Sequence, residues 1–173
     1  MSTLSKTRIG TRSLCSRFAQ VGYPNRVKPG LGQPIKDAMA FIEWKPSYTV
    51  QVDELDRQHQ RLVQLINSLH DAMKIGAPKQ ALERIVSDLV TYTRFHFQNE
   101  ERLLRLHGYP DLAAHMQEHS QLTTTVSRFE EDLRAGKVAL SVSLMQFLKS
   151  WLTGHILGSD MKYSPHLSGC VLR

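Results

Sequence analysis

The sequence predicts an all-α protein, an up-down-up-down four-helix bundle with an N-terminal loop and extension. Three observations carry this reading. Apolar residues recur at three- and four-residue steps in four successive segments after about residue 53. Short breaks containing Gly and Pro separate the segments, and such connections join antiparallel neighbours in a bundle. No strand-like alternation and no internal repeat competes with the helical period.

The first segment carries His59, Leu62, Ile66, Leu69 and Met73 on one face and ends at Gly76-Ala77-Pro78. Proline is tolerated where the next helix opens, because its missing N–H would lack an intrahelical partner anyway. That second segment aligns Leu82, Ile85, Leu89, Tyr92, His96, Glu100 and Leu103, and stops at Gly108-Tyr109-Pro110. The third, from about Asp111, aligns His115, His119, Leu122, Val126, Phe129 and Leu133 and reaches Gly136. The fourth opens around Ser141, aligns Leu144, Leu148, Trp151 and His155, and is expected to close at Gly158.

A chain of 173 residues can bury the core of one ordinary domain. Its formal charge of +6 is unevenly spread: residues 1–37 hold seven Lys or Arg and one acid, while residues 38–173 hold fifteen of each. The excess is therefore confined to the N-terminal segment, and a basic nucleic-acid groove on the domain has no support. No run of about 18 apolar residues occurs, so no membrane span is expected. Two cysteines, Cys15 and Cys170, make neither a disulfide framework nor a thiolate metal site, and they suit a reducing, cytoplasmic compartment.

These contrasts divide the chain into a basic extension (1–38), a helical domain (39–168) and a short tail (169–173). Four readings of the extension stay open: a disordered tail, a start-site artefact, a transit-like segment, and, ranked last, an arm for nucleic acid or a membrane surface. The start-site reading rests on Met39, which directly precedes the domain-like run Ala40-Phe41-Ile42-Glu43-Trp44. A charge-balanced domain without an evident apolar outer face reads as a monomer.

The chemistry lies in the polar residues on the four apolar faces. Each face holds at least one histidine: His59, His96, the pair His115 and His119, and His155. Glu100 follows His96 by four residues and shares its face, as His119 does with His115. Asp160 lies five residues beyond His155, past Gly158. Taken singly, a histidine on an apolar face is more often a hydrogen-bonded core residue, and a lone His–Glu pair is usually a surface contact. A buried carboxylate, however, costs several kcal/mol unless it is paired or bound to metal. Five histidines and two acids in one core would leave many polar atoms unsatisfied, and a metal cluster satisfies them together.

The donor set narrows the metal. It is too large for one tetrahedral zinc, too rich in nitrogen for magnesium or calcium, and lacks the thiolates of blue copper or iron–sulfur sites. If both carboxylates and a solvent oxygen bridge two metals, five imidazoles divide three and two, saturating one metal and leaving the other an open position. Iron suits the mixture, although spacing leaves manganese open.

Several motifs resemble the hemerythrins, and most closely their single-domain bacterial form, over about residues 41–167. They are Val52-Asp53-Glu54-Leu55-Asp56-Arg57-Gln58-His59, His96-Phe97-Gln98-Asn99-Glu100-Glu101, Gly108-Tyr109-Pro110, His115-Met116-Gln117-Glu118-His119, and His155-Ile156 with Asp160. The resemblance implies two non-haem iron ions bridged by oxo or hydroxo. It gives His115, His119 and His155 to the saturated iron and His59 and His96 to the open one, with Glu100 and Asp160 as bridges. It also implies that O2 adds reversibly at the open iron, with oxidation of both. Phe97, Trp151 and Leu152 match positions that line the oxygen pocket, and core packing serves them equally well as an explanation. Trp44 resembles an aromatic residue that packs over the bundle. His70, His107 and His166 are expected at the surface or at helix ends. Glu101 and Glu118 flank ligand positions and have acceptors to offer imidazole N–H groups. Each sits about 100° round its helix from a ligand, however, and solvent exposure is the favoured expectation.

The first functional reading is thus reversible dioxygen binding for carriage, storage or delivery to an oxygen-using recipient protein, with no catalytic residues. An O2 or redox sensor is the alternative, with the basic extension its only candidate output. A di-iron oxidase ranks lower, because those sites combine four carboxylates with two histidines in Glu-x-x-His repeats, and no such repeat serves this site.

Overall fold

The acidic first turn of the first helix, Asp53, Glu54 and Asp56, meets the positive end of the helix dipole. Helix α1 spans Asp53–Lys74, α2 Lys79–Leu106, α3 Leu112–Arg134 and α4 Val142–His155. The computed structural model describes residues 40–171, and side chains as far as Leu167; the expectations for residues 1–38 lie outside that range. No strand occurs among the described residues. Gly76 and Gly108 turn the chain after α1 and α2 with φ of 65° and 67°, a left-handed conformation in which a side chain would be strained. Ser141 caps α4, its hydroxyl accepting from the Leu144 amide at 3.2 Å.

Helix α1 packs on α2 and α4, and α2 packs on α3. Between them lies a core that includes Leu62, Ile66, Leu69, Leu89, Val90, Phe97, Leu122, Val126, Met145, Leu148 and Leu152. Burying each such side chain stabilises the fold by about 1.5–3 kcal/mol. A second apolar cluster joins Val50, Leu55, Leu104, Tyr109, Tyr163 and Leu167. The loop before α1 is fastened down. Asn67 exchanges two hydrogen bonds with the Ile42 backbone at 2.8 and 2.9 Å, and Lys149 donates to the Phe41 carbonyl at 2.7 Å. Trp44 is half-buried against the main core and meets Tyr48 edge-on at 5.6 Å.

The fourth helix departs from expectation. Gly158 does not close it: Ile156–Asp160 form a π-helical turn, and the chain continues as α5, Met161–Val171. A terminating glycine takes positive φ, and Gly158 is not among the residues that do. In a regular helix, residues five apart lie about 140° from one another around the axis. A π turn, with its i→i+5 repeat, instead brings His155 and Asp160 to one face.

Candidate metal centre

The seven polar residues occupy one layer. His59 stands on α1, His96 and Glu100 on α2, His115 and His119 on α3, His155 at the end of α4, and Asp160 at the end of the π turn. All seven are buried, and His59, Glu100 and Asp160 are wholly inaccessible. Two groups of donor atoms emerge, each within 4.8 Å: Glu100 with His115, His119 and His155, and Glu100 with His59 and His96.

The carboxylates divide their oxygens between the groups. Glu100 Oε1 lies 2.5 Å from His115 Nε2 and 3.6 Å from His119 Nε2, while Oε2 lies 3.2 Å from His96 Nε2 and 3.7 Å from His59 Nε2. Asp160 Oδ1 lies 3.1 Å from His155 Nε2 and 3.7 Å from His115 Nε2, while Oδ2 lies 3.3 Å from His59 Nε2. Each acid thus turns one oxygen to either histidine group, the disposition of a carboxylate spanning two cations.

Hydrogen bonds leave this layer unfinished. Both ring nitrogens of His59, Glu100 Oε2 and both Asp160 oxygens are buried without a hydrogen-bond partner among the described residues. Such atoms are costly unless something else satisfies them. A pair of cations facing these nitrogens and oxygens would do so, and the donor set fits iron.

Burial lowers His96 to about 3 and His119 to about 2, so both imidazoles are neutral with a lone pair to offer at physiological pH. Burial acts the same way on His59, but the Asp160 and Glu100 carboxylates outweigh it and raise that imidazole to about 9. Burial raises both acids. The His115 and His59 imidazoles nevertheless hold Glu100 well below the usual carboxylate range, whereas the charge on Glu100 adds to the rise at Asp160.

The outer nitrogens show supports that sequence reasoning ranked below solvent exposure for Glu101 and Glu118 and missed for Gln58. His119 Nδ1 lies 2.9 Å from Glu101 Oε1, and His155 Nδ1 lies 3.1 Å from Glu118 Oε2, which also accepts from Ser159 Oγ at 2.5 Å. His96 Nδ1 lies 3.0 Å from Gln58 Oε1. Glu101 and Glu118 therefore do not simply face solvent; each reaches a ring on a neighbouring helix or, for Glu118, on α4. Tyr163 was also missed. Its ring meets His115 edge-on at 5.6 Å, and its hydroxyl is buried near the Glu100 and Asp160 carboxylates.

Phe97 stacks on His119 at 3.7 Å, and Trp151 stacks on His155 at 4.8 Å. Leu152 is buried in the same core cluster as Phe97, one turn before His155. His70 stands apart, stacked on Phe41 at 4.4 Å, and the His166 ring lies 2.8 Å from the His107 carbonyl oxygen.

Residues 50–167 match the Hemerythrin HHE cation binding domain. The chain belongs to the hemerythrin family. A bacteriohemerythrin of Stenotrophomonas maltophilia (strain R551-3) is 32% identical over 126 residues, covering 73% of this chain and 81% of that protein. A bacteriohemerythrin of Methylococcus capsulatus (Bath) is 30% identical, covering 75% and 99%. The myohemerythrin of Theromyzon tessulatum is 29% identical, covering 72% and 92%. A wild-type hemerythrin crystal structure aligns with a TM-score of 0.71 at 29% identity, over 75% of this chain and 99% of that one. The family match covers all seven residues of the polar layer and the whole second apolar cluster. Among the described residues, no helix is long and apolar enough to cross a membrane.

Proposed function

We propose that this hemerythrin-family chain binds dioxygen reversibly at a non-haem di-iron centre, for carriage, storage or delivery, without catalysing a reaction. The observation that carries the reading is the division of the Glu100 and Asp160 oxygens between a three-histidine and a two-histidine group. His115, His119 and His155 would hold one iron and His59 and His96 the other, with Glu100 and Asp160 shared between them. When bound, the iron pair supplies two redox-active centres and one coordination position for a diatomic ligand.

The chain supplies the rest. The buried, neutral imidazoles of His96 and His119 have lone pairs to offer a metal, and Gln58, Glu101 and Glu118 fix the rings of His96, His119 and His155 from behind. Phe97, Trp151 and Leu152 exclude water and anions, which slows irreversible oxidation. Five imidazoles against two carboxylates make a set poorer in oxygen donors than that of di-iron oxidases, and this favours binding over turnover.

The reduced, iron-loaded protein is expected to develop a visible charge-transfer band in air that fades when oxygen is removed. Sustained consumption of O2 with turnover of an added reductant would overturn the carrier reading. The ligand assignment has its own test: His119→Ala is expected to lower iron content markedly, while His70→Ala leaves it unchanged. Equal iron in the two variants would refute it.

A further inference from the structure

We infer that the two metal positions differ in affinity, with a tightly held ion at the three-histidine group and a labile, exchangeable one beside His59 and His96. The inference rests on the dinuclear reading above and deepens it. A ring whose outer N–H is held by an acceptor is fixed in orientation and tautomer and becomes a stronger donor. A carboxylate does this better than a neutral amide.

The two groups are supported unequally. Two of the three imidazoles in the larger group rest on carboxylates, His119 on Glu101 at 2.9 Å and His155 on Glu118 at 3.1 Å. Glu118 also takes the Ser159 hydroxyl, which ties α3 to the π turn that presents Asp160. In the smaller group, His96 rests on the amide oxygen of Gln58 at 3.0 Å, and His59 Nδ1 has no hydrogen-bond partner among the described residues. Glu100 and Asp160 serve both groups and so do not offset the difference.

Losing one such outer partner typically lowers metal affinity by about 10- to 100-fold. Two carboxylate-backed rings against one amide-backed ring therefore separate the positions by roughly tenfold or more. The first equivalent of metal fills the tight position, and a one-metal form persists at substoichiometric supply. The open position is then also the one that loses or exchanges its ion.

The test is anaerobic titration of the metal-free protein with Co(II), followed by its visible absorption and by calorimetry. Two equivalents binding in two phases are expected. His59→Ala should abolish the weak phase and leave the tight one. Glu118→Ala should weaken the tight phase by about 10- to 100-fold, with Glu118→Gln, which keeps an acceptor oxygen, losing less. Gln58→Glu should strengthen the weak phase, a gain that misfolding cannot produce. Two equivalents in a single phase, or a weak phase indifferent to Gln58→Glu, would overturn the inference and leave the dinuclear reading standing. Fewer than two equivalents in the unaltered protein would overturn both.

Discussion

Replacing Glu100 by alanine is expected to strip both metal positions, whereas His59→Ala should empty only one. Glu100 is the residue common to both donor groups, with one oxygen turned to each. It is also held ionised by the imidazoles around it, so its charge is available to two cations at once. Without it the three-histidine group keeps its nitrogens but loses its nearest oxygen, and the two-histidine group keeps only a share of Asp160. Iron measured per folded chain should fall from two ions to near none for Glu100→Ala and to about one for His59→Ala, in keeping with the loss of a bridging and a terminal ligand. Glu100→Gln, which keeps one oxygen acceptor without the charge, should fall between. Helical circular dichroism separates this loss from unfolding. A Glu100→Ala protein that kept both ions would show that the acid does not bridge.

Why the sequence revealed the buried polar layer but not its surroundings follows from how far each signal reaches. His59, His96, Glu100, His115, His119 and His155 fall on apolar stripes, and a stripe is a local, periodic property. A polar residue on one therefore declares itself. Helix ends at Gly76, Gly108 and Gly136 were equally legible, because a left-handed residue at a helix end selects glycine. Gly158 carried the same local signal and misled. There the need to bring Asp160 round to the face of His155 is met by a π turn that composition does not encode. Gln58, Glu101 and Glu118 sit beside the stripes rather than on them. A long side chain rotated about 100° from the core still reaches a ring on the next helix, and helical periodicity records nothing of that neighbour. The spacing Glu118-His119 and Gln58-His59 is the trace that remained: an acceptor immediately preceding a ligand, serving a different one.

Asp160→Asn is expected to act in opposite directions on the metal-free and the iron-loaded protein. In the metal-free chain both Asp160 oxygens are buried without hydrogen-bond partners among the described residues, and burial together with the charge on Glu100 disfavours ionisation. Asparagine keeps the shape and removes that charge. His59, which Asp160 and Glu100 together raise to about 9, keeps the Glu100 carboxylate beside it, so no buried charge is left unpaired by the change. The thermal midpoint of the metal-free variant should therefore equal or exceed that of the unaltered protein. The loaded protein behaves otherwise. An ion bound at a thousandfold excess over its dissociation constant stabilises the fold by about 4 kcal/mol. Losing a bridge forfeits much of this, which corresponds to roughly 8–16 °C for a chain of this size. Differential scanning calorimetry with and without iron, on both proteins, reads all four midpoints. A metal-free midpoint lowered by more than about 8 °C, equivalent to over 2 kcal/mol, would make Asp160 a structural residue rather than a bridging one. An unchanged loaded midpoint would show that its carboxylate does not bear on the metals.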